Sequence, residues 1–327
     1  MSIIKSKAGA QPSADTKGKR LQKKPKSFLG KVWAQRYLLL MLLPGLLFYI
    51  IFRYGPIYGL RISFINYSPF LGYDRSPWVG LAYFERFFTY DVDKFWNLMG
   101  NTLLVGCLQT LIGFPVTILF ALVLNEVRVP GLKKGYQTIS YLPTFLSSVI
   151  VASIFIELFS VKNGLVNKVI TMLGNEPIVF MNTTWGYHLV YQLSALWASV
   201  GNGAIIYLSA LSAVDQEMYE AAEIDGCSRL KRIWHITLPA IAPTIVTMLI
   251  LNIGGVIRVS ADRALLFRTD ITKPDVQIFA TYIHDIGIMG ASKSYAAAIG
   301  LFESAIAAII LLVTNTIAKK RGGNSLW

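Results

Sequence analysis

A chain of 327 residues that is 54% hydrophobic and only 15% charged, with a mean hydropathy of +0.50, is not an ordinary water-soluble domain; several apolar runs reach the roughly 20 residues that cross a bilayer as a helix. Two cysteines, Cys107 and Cys227, exclude a disulfide framework or a cysteine metal cage, and no Gly-x-x-x-x-Gly-Lys-Ser/Thr stretch is present to cradle a nucleotide phosphate. The net charge of +13 would point to nucleic acid in a soluble protein, but the lysines and arginines concentrate on one side of the predicted spans, which is the positive-inside rule and requires no nucleic-acid partner.

Residues 1–36 form a basic, polar tail. Its Lys17, Lys19, Arg20, Lys23, Lys24 and Lys26 leave too little apolar surface for a core, so disorder is expected, with the tail acting as an orientation signal or resting on anionic headgroups. A first span is expected over Tyr37–Ser63, with Pro44 inside it and Arg53-Tyr54-Gly55-Pro56 marking an interface or a kink; with the outer loop after it, this makes a segment 37–95. Five more spans are expected over Phe95–Leu124, Tyr136–Leu158, Trp185–Leu211, Ala240–Ser260 and Tyr295–Ile317, forming a core of residues 96–318. A short surface helix is expected near Gly164–Leu173, and an amphipathic helix on or dipping into the membrane over Val276–Ile286. Lys319-Lys320-Arg321 stops the last span in a tail of residues 319–327, and six spans put both termini on the inner side.

The segment 212–239 between the fourth and fifth spans is polar. Asp215 can cap a helix over Gln216–Ile224, Gly226 permits a turn, and Ser228 can cap a second helix with Leu230, Ile233 and Trp234 on one face, ended by Pro239 and Pro243. So small a helix pair cannot bury its own apolar face and needs a partner surface.

The spacing Glu220-Ala221-Ala222, three residues to Gly226 with Asp225 just before it, then nine residues to Ile236-x-Leu238-Pro239 resembles the signature loop of the membrane subunits of binding-protein-dependent ABC importers. The chain is identified on that pattern as an all-α integral membrane protein of the type I importer fold, with six transmembrane helices and a cytoplasmic coupling helix. Trp78-Val79-Gly80-Leu81, the stretch Ser294 to Phe302 and the ending Asn-Ser-Leu-Trp are similar to the sugar and polysaccharide branch, although Trp78 could equally be an interfacial aromatic. The resemblance implies import of an oligosaccharide, polysaccharide-derived or acidic, across a bacterial cytoplasmic membrane. It also implies a second, different permease subunit, two cytoplasmic ATPases that use ATP and Mg, and an extracytoplasmic binding protein. This chain would then be no enzyme and bind no cofactor.

Alignment from Glu220 with the maltose-type permeases places substrate contacts near Ser199, Asn202, Asn252 and Val256. Trp197 and Tyr207 could add aromatic faces for a sugar, and Asn252 offers two donors and an acceptor to hydroxyls. The asparagines could instead bond neighbouring helices. Arg258 could neutralise an acidic sugar, snorkel to headgroups, or pair with Asp262 at i+4. Glu303, inside the last span, would face the cavity or a second subunit. A scaffold for peptides or amino acids, or a secondary transporter, are the rival readings.

Overall fold

The computed structural model describes residues 35–290, 292–320 and 326; the basic tail with its lysine cluster, and Asn324, Ser325 and Trp327 of the C-terminal ending, lie outside the described residues. The chain divides into Met1–Gly59 and Leu60–Trp327. Helix α1, Arg36–Phe64, begins in the first unit. It is α-helical to Tyr49, makes one π turn over Ile50–Tyr54 and tightens to 3-10 geometry from Gly55. The kink expected at Arg53–Pro56 is therefore a change of pitch. Pro44 is tolerated inside the helix.

The second unit holds the rest. Helix α2, Val92–Asn125, contains a π turn at Gln109–Gly113. The third expected span is not one helix. Helices α3, Pro130–Phe145, and α4, Ser148–Leu158, meet at 104°. Pro143 removes one backbone donor, Leu146 is extended, and the Ser147 hydroxyl restarts the chain by accepting the Ile150 N–H at 3.3 Å. Thr144 donates to the Ala198 carbonyl at 2.8 Å, which ties the break to the middle of α6, Thr184–Ser212.

The expected surface helix is α5, Leu165–Met172. The buried Asn167 amide bonds the Phe159, Ser160 and Ile178 carbonyls and accepts the Ile178 N–H. After α6 come α7, Gln216–Ile224, and α8, Arg229–Gly254. Here Pro239 and Pro243 do not end the short second helix; it runs on into the fifth span. A π turn over Ile233–Thr237 shifts the ladder, and Pro239, which has no N–H to give, stands at the start of the α-helical run from Leu238.

The segment 261–294 is folded rather than a polar loop. It contains α9, Ala261–Phe267, and α10, Phe279–His284, prolonged by a π turn to Met289. Helix α10 packs into the bundle: Ile278, Phe279 and Thr281 are buried, and the Phe279 ring packs edge-on to Phe87 and Phe302. Helix α11, Lys293–Lys320, ends the described bundle.

Five helices, α1, α2, α6, α8 and α11, are long and apolar enough to span a membrane, and α3 with α4 makes a sixth as a broken span. Among the described residues no strand forms beyond one isolated bridge, Ile65 to Trp78, and the Trp78 ring stacks on Phe64 at 5.7 Å. Apolar clusters hold the second unit at both ends. One gathers Tyr187, Tyr191 and Phe267 with α4; another joins Ala121, Ala204, Tyr207 and Ile241 close to α7. Gly106 marks a tight contact: a Cβ there would overlap the Val256 carbonyl oxygen.

Candidate functional site: a cavity in the bundle and an exposed helical loop

The cavity, about 580 Å³, lies between α2, α6 and α8. Helix α6 lines it with Gln192, Ser199, Gly203 and Tyr207, successive positions seven or four residues apart that share one helix face. Ser199, Tyr207, Asn252 and Arg258 of the sequence-predicted set line it; Trp197, Asn202 and Val256 do not. Trp197 precedes Ser199 by two residues, a rotation of roughly 160° round the helix, and its ring meets Phe155 at 5.8 Å on the other side. Asn202 is turned off that face and exposed. Val256 lies past the end of α8 and supplies backbone to the Gly106 contact instead.

The polar groups are held by local bonds. Asn252 donates to the Met248 carbonyl of its own helix at 2.8 Å, not to a neighbouring one, and keeps its second amide hydrogen and its carbonyl oxygen. Ser199 donates to Ala195 at 2.7 Å and keeps its lone pairs. Sequence reasoning missed Gln109, Thr117, Tyr191, Gln192 and Arg263, which also line the space. Gln192 donates to the Val105 carbonyl at 3.1 Å, Gln109 reaches the Tyr191 hydroxyl at 3.5 Å, and the Arg263 guanidinium lies 5.8 Å over the Tyr191 ring. The glutamines were legible as costly polar groups in apolar helices. Arg263 was not, because it sits in a segment that reads as an outer loop and folds back.

Arg258 does not pair with Asp262; among the described residues neither it nor Arg263 enters an ion pair. Glu303 of α11 is outside the cavity lining but within electrostatic reach of Arg258. The lining thus carries two guanidiniums and no carboxylate.

A contrasting arginine stands beyond the spans. Arg268 grips Asp285 with two bonds of 2.9 and 2.6 Å, Gln277 donates to the same carboxylate at 2.9 Å, and Lys273 lies 3.5 Å away. Burial alone would raise the Asp285 carboxyl, but the Arg268 hydrogen bonds and charge, with Lys273, hold it below the ordinary carboxylate range.

The loop between α6 and α8 is the second feature. Asp215 caps α7 by accepting the Glu217 N–H at 3.0 Å. Gly226 takes φ +70°, a left-handed conformation that costs glycine least, while the Gly226 and Cys227 amides close the helix end on Glu223 and Ala222. Ser228 occupies the start of α8 but makes no capping bond with its side chain. Arg232 clips α8 to Glu223 at 3.2 Å, and Tyr219 bonds Thr237 at 3.1 Å. Ala222, Thr237 and, in part, Ile236 and Leu238 turn inward; Glu220, Ala221, Asp225, Gly226 and Pro239 are exposed. Leu230 and Trp234 do not share a buried face with Ile233. They are 72% and 68% exposed, and Ile224 is 87% exposed, so the loop presents apolar side chains that none of the described residues covers.

Comparison with known proteins adds the lineage. Residues 113–319 match the family described as "Binding-protein-dependent transport system inner membrane component". The polygalacturonan/rhamnogalacturonan transport system permease protein YteP of Bacillus subtilis is 42% identical over 307 residues, 94% of this chain and 95% of the relative. A chain in the structure of a bacterial ABC transporter involved in the import of the acidic polysaccharide alginate superposes with a TM-score of 0.80 at 33% identity, covering 89% of this chain and 97% of that one. A second structure, the alginate ABC transporter in complex with alginate pentasaccharide-bound periplasmic protein, gives a TM-score of 0.80 at 31% identity, covering 91% and 99%.

Proposed function

Since the chain belongs to the family of binding-protein-dependent transport system inner membrane components, a family of multi-pass transport subunits, we propose that it is the permease subunit of an ABC importer that moves an oligosaccharide into the cytoplasm. The observation that carries this reading is the cavity. Asn252, Ser199, Gln109, Gln192 and Tyr207 bring donors, acceptors and an aromatic face into an apolar bundle, the chemistry that suits sugar hydroxyls. The relatives that transport polygalacturonan, rhamnogalacturonan and alginate support the substrate class.

In this reading the loop faces the cytoplasm, as the positive-inside rule directs, and both termini lie on that side. Ile224, Leu230 and Trp234 dock into an ATPase subunit; Glu220, Ala221, Ala222, Asp225 and Gly226, with Ile236, Leu238 and Pro239 behind them, form the rigid coupling element. Two such ATPases use ATP and Mg, this chain binding neither. A second, different permease subunit completes the translocation path, and a binding protein delivers the sugar from outside. ATP-driven approach of the ATPases pushes the loops inward and swings α6 and α8 between inward-open and outward-open arrangements, exposing Asn252 and Ser199 to each side in turn.

Sugar-dependent ATP hydrolysis by the assembled complex is the test. A uronate or neutral oligosaccharide on its binding protein should stimulate hydrolysis severalfold. Stimulation by peptides or amino acids instead would assign another solute to the same scaffold. Uptake driven by an ion gradient with no ATPase bound would make this chain a secondary transporter.

A further inference from the structure

We propose that Arg258 and Arg263 are the residues that select the substrate's charge, each meeting a carboxylate of an oligouronate in the cavity. This inference rests on the oligosaccharide-import reading and adds to it the residues that read the sugar's acid groups.

Three observations carry it. The cavity wall holds both guanidiniums and no acid. The Arg263 Nε is buried and has no hydrogen-bond partner among the described residues, so a donor beside the cavity is left open. Its plane is supported by the Tyr191 ring at 5.8 Å, and Gln109 reaches the Tyr191 hydroxyl from the neighbouring helix, which limits where the guanidinium can point.

Arg268 shows what this fold does with an arginine kept for structure. It is largely buried and paired with Asp285 through two short bonds. Among the described residues Arg258 and Arg263 have no such paired carboxylate: Asp262 is adjacent in sequence to Arg263 and four residues on from Arg258, and Glu303 lies within electrostatic reach of Arg258 without forming an ion pair. A guanidinium's planar fork fits a carboxylate by paired N–H donation and gains far less from hydroxyls alone. Asn252 and Ser199 serve the hydroxyls, and the arginines are left for the acid groups.

The experiment uses the complete complex, with partner permease, ATPases and binding protein, in proteoliposomes. The probes are trisaccharides of galacturonate, of mannuronate and of guluronate, and a neutral hexose trisaccharide. With the uronate trimer the wild type prefers, Arg258→Gln and Arg263→Gln should each lower uptake about tenfold or more, the loss of one charged hydrogen-bonding group. Assembly of the complex, read by co-purification of all its subunits, should hold. Arg258→Lys and Arg263→Lys keep the charge and should recover a substantial part of that loss, a rescue that a packing role would not give. Because one binding protein serves every variant, its own preference cancels in each variant-to-wild-type ratio. Uptake by the glutamine variants within twofold of wild type, or lysine variants falling as far as glutamine, overturns the assignment. So does a wild-type preference for the neutral trisaccharide, which leaves the import reading standing. Failure of the wild type to take up any of the four sugars removes the import reading itself.

Discussion

Asn252 is the side chain on which hydroxyl recognition turns. It spends one amide hydrogen on Met248 and presents the remainder to the cavity. Asn252→Ala should therefore raise the sugar concentration giving half-maximal ATPase stimulation by about tenfold, the worth of roughly 1 to 1.5 kcal/mol of hydrogen bonding, with assembly unchanged; an unshifted titration would take Asn252 out of the site. Asp285 makes a pH prediction. Its folded carboxyl is held below the unfolded value of about 3.9. Its contribution is therefore complete above about pH 4 and is lost as pH falls through the lower folded value. Asp285→Asn, which leaves the largely buried Arg268 charge uncompensated, should cost about 3 kcal/mol at neutral pH and flatten the acid limb of the melting-temperature profile. An acid limb identical to wild type would show that the pair does not hold the fold. At this scale the sequence was half legible. Asn252 and Tyr207, singled out from helix position, Ser199, placed by the resemblance to maltose-type permeases, and Arg258, from its place near the helix end, all line the cavity. Trp197 and Asn202 were misplaced because proximity along a helix is not proximity on one face.

Hydropathy located α1, α2, α6 and α11 within about three residues at each end, though not α8, since a span must satisfy its backbone internally and bury or shed its polar side chains. What it missed were irregularities whose signals it averages away. The break between α3 and α4 was written in Pro143 and Ser147, inside a window that still reads as apolar. The continuity of α8 through Pro239 depends on a π turn, which leaves no mark in residue type. The burial of α10 depends on Phe87 and Phe302, both distant in sequence. The first half of the loop, by contrast, was legible, because Asp215 and Gly226 act through local backbone chemistry. Gly226→Pro forces φ near −65° where the chain needs +70°; it should abolish uptake while membrane insertion survives. Glu220 is exposed, so Glu220→Ala should leave folding intact and still abolish uptake. Normal transport by either variant would refute the loop's role in coupling. At the Gly106 contact, Gly106→Val must displace the Val256 carbonyl and should lower the yield of folded protein extracted from membranes. A wild-type yield would mean that the approach of α2 to the end of α8 is not constrained.

For the molecule as a whole, net charge, hydropathy and one loop motif were enough to identify an all-α membrane subunit. In the proposed reading the positive-inside pattern sets the orientation, and the family relationship gives the class of machine. The cavity's character needed three dimensions, because Gln109, Gln192, Asn252 and Arg263 come from four segments that only folding brings together. Cavity and loop are linked mechanically: α6 and α8 line the one and flank the other, so displacement of the loop must be felt at Ser199 and Asn252. The direct measurement is uptake of a labelled uronate trisaccharide by proteoliposomes holding the complete complex, with ATP or a non-hydrolysable analogue on the ATPase side. Accumulation with ATP, its absence with the analogue, and its loss in Gly226→Pro vesicles of equal protein content are the results expected. Equal accumulation with the analogue, or undiminished accumulation through the Gly226→Pro complex, would contradict the account.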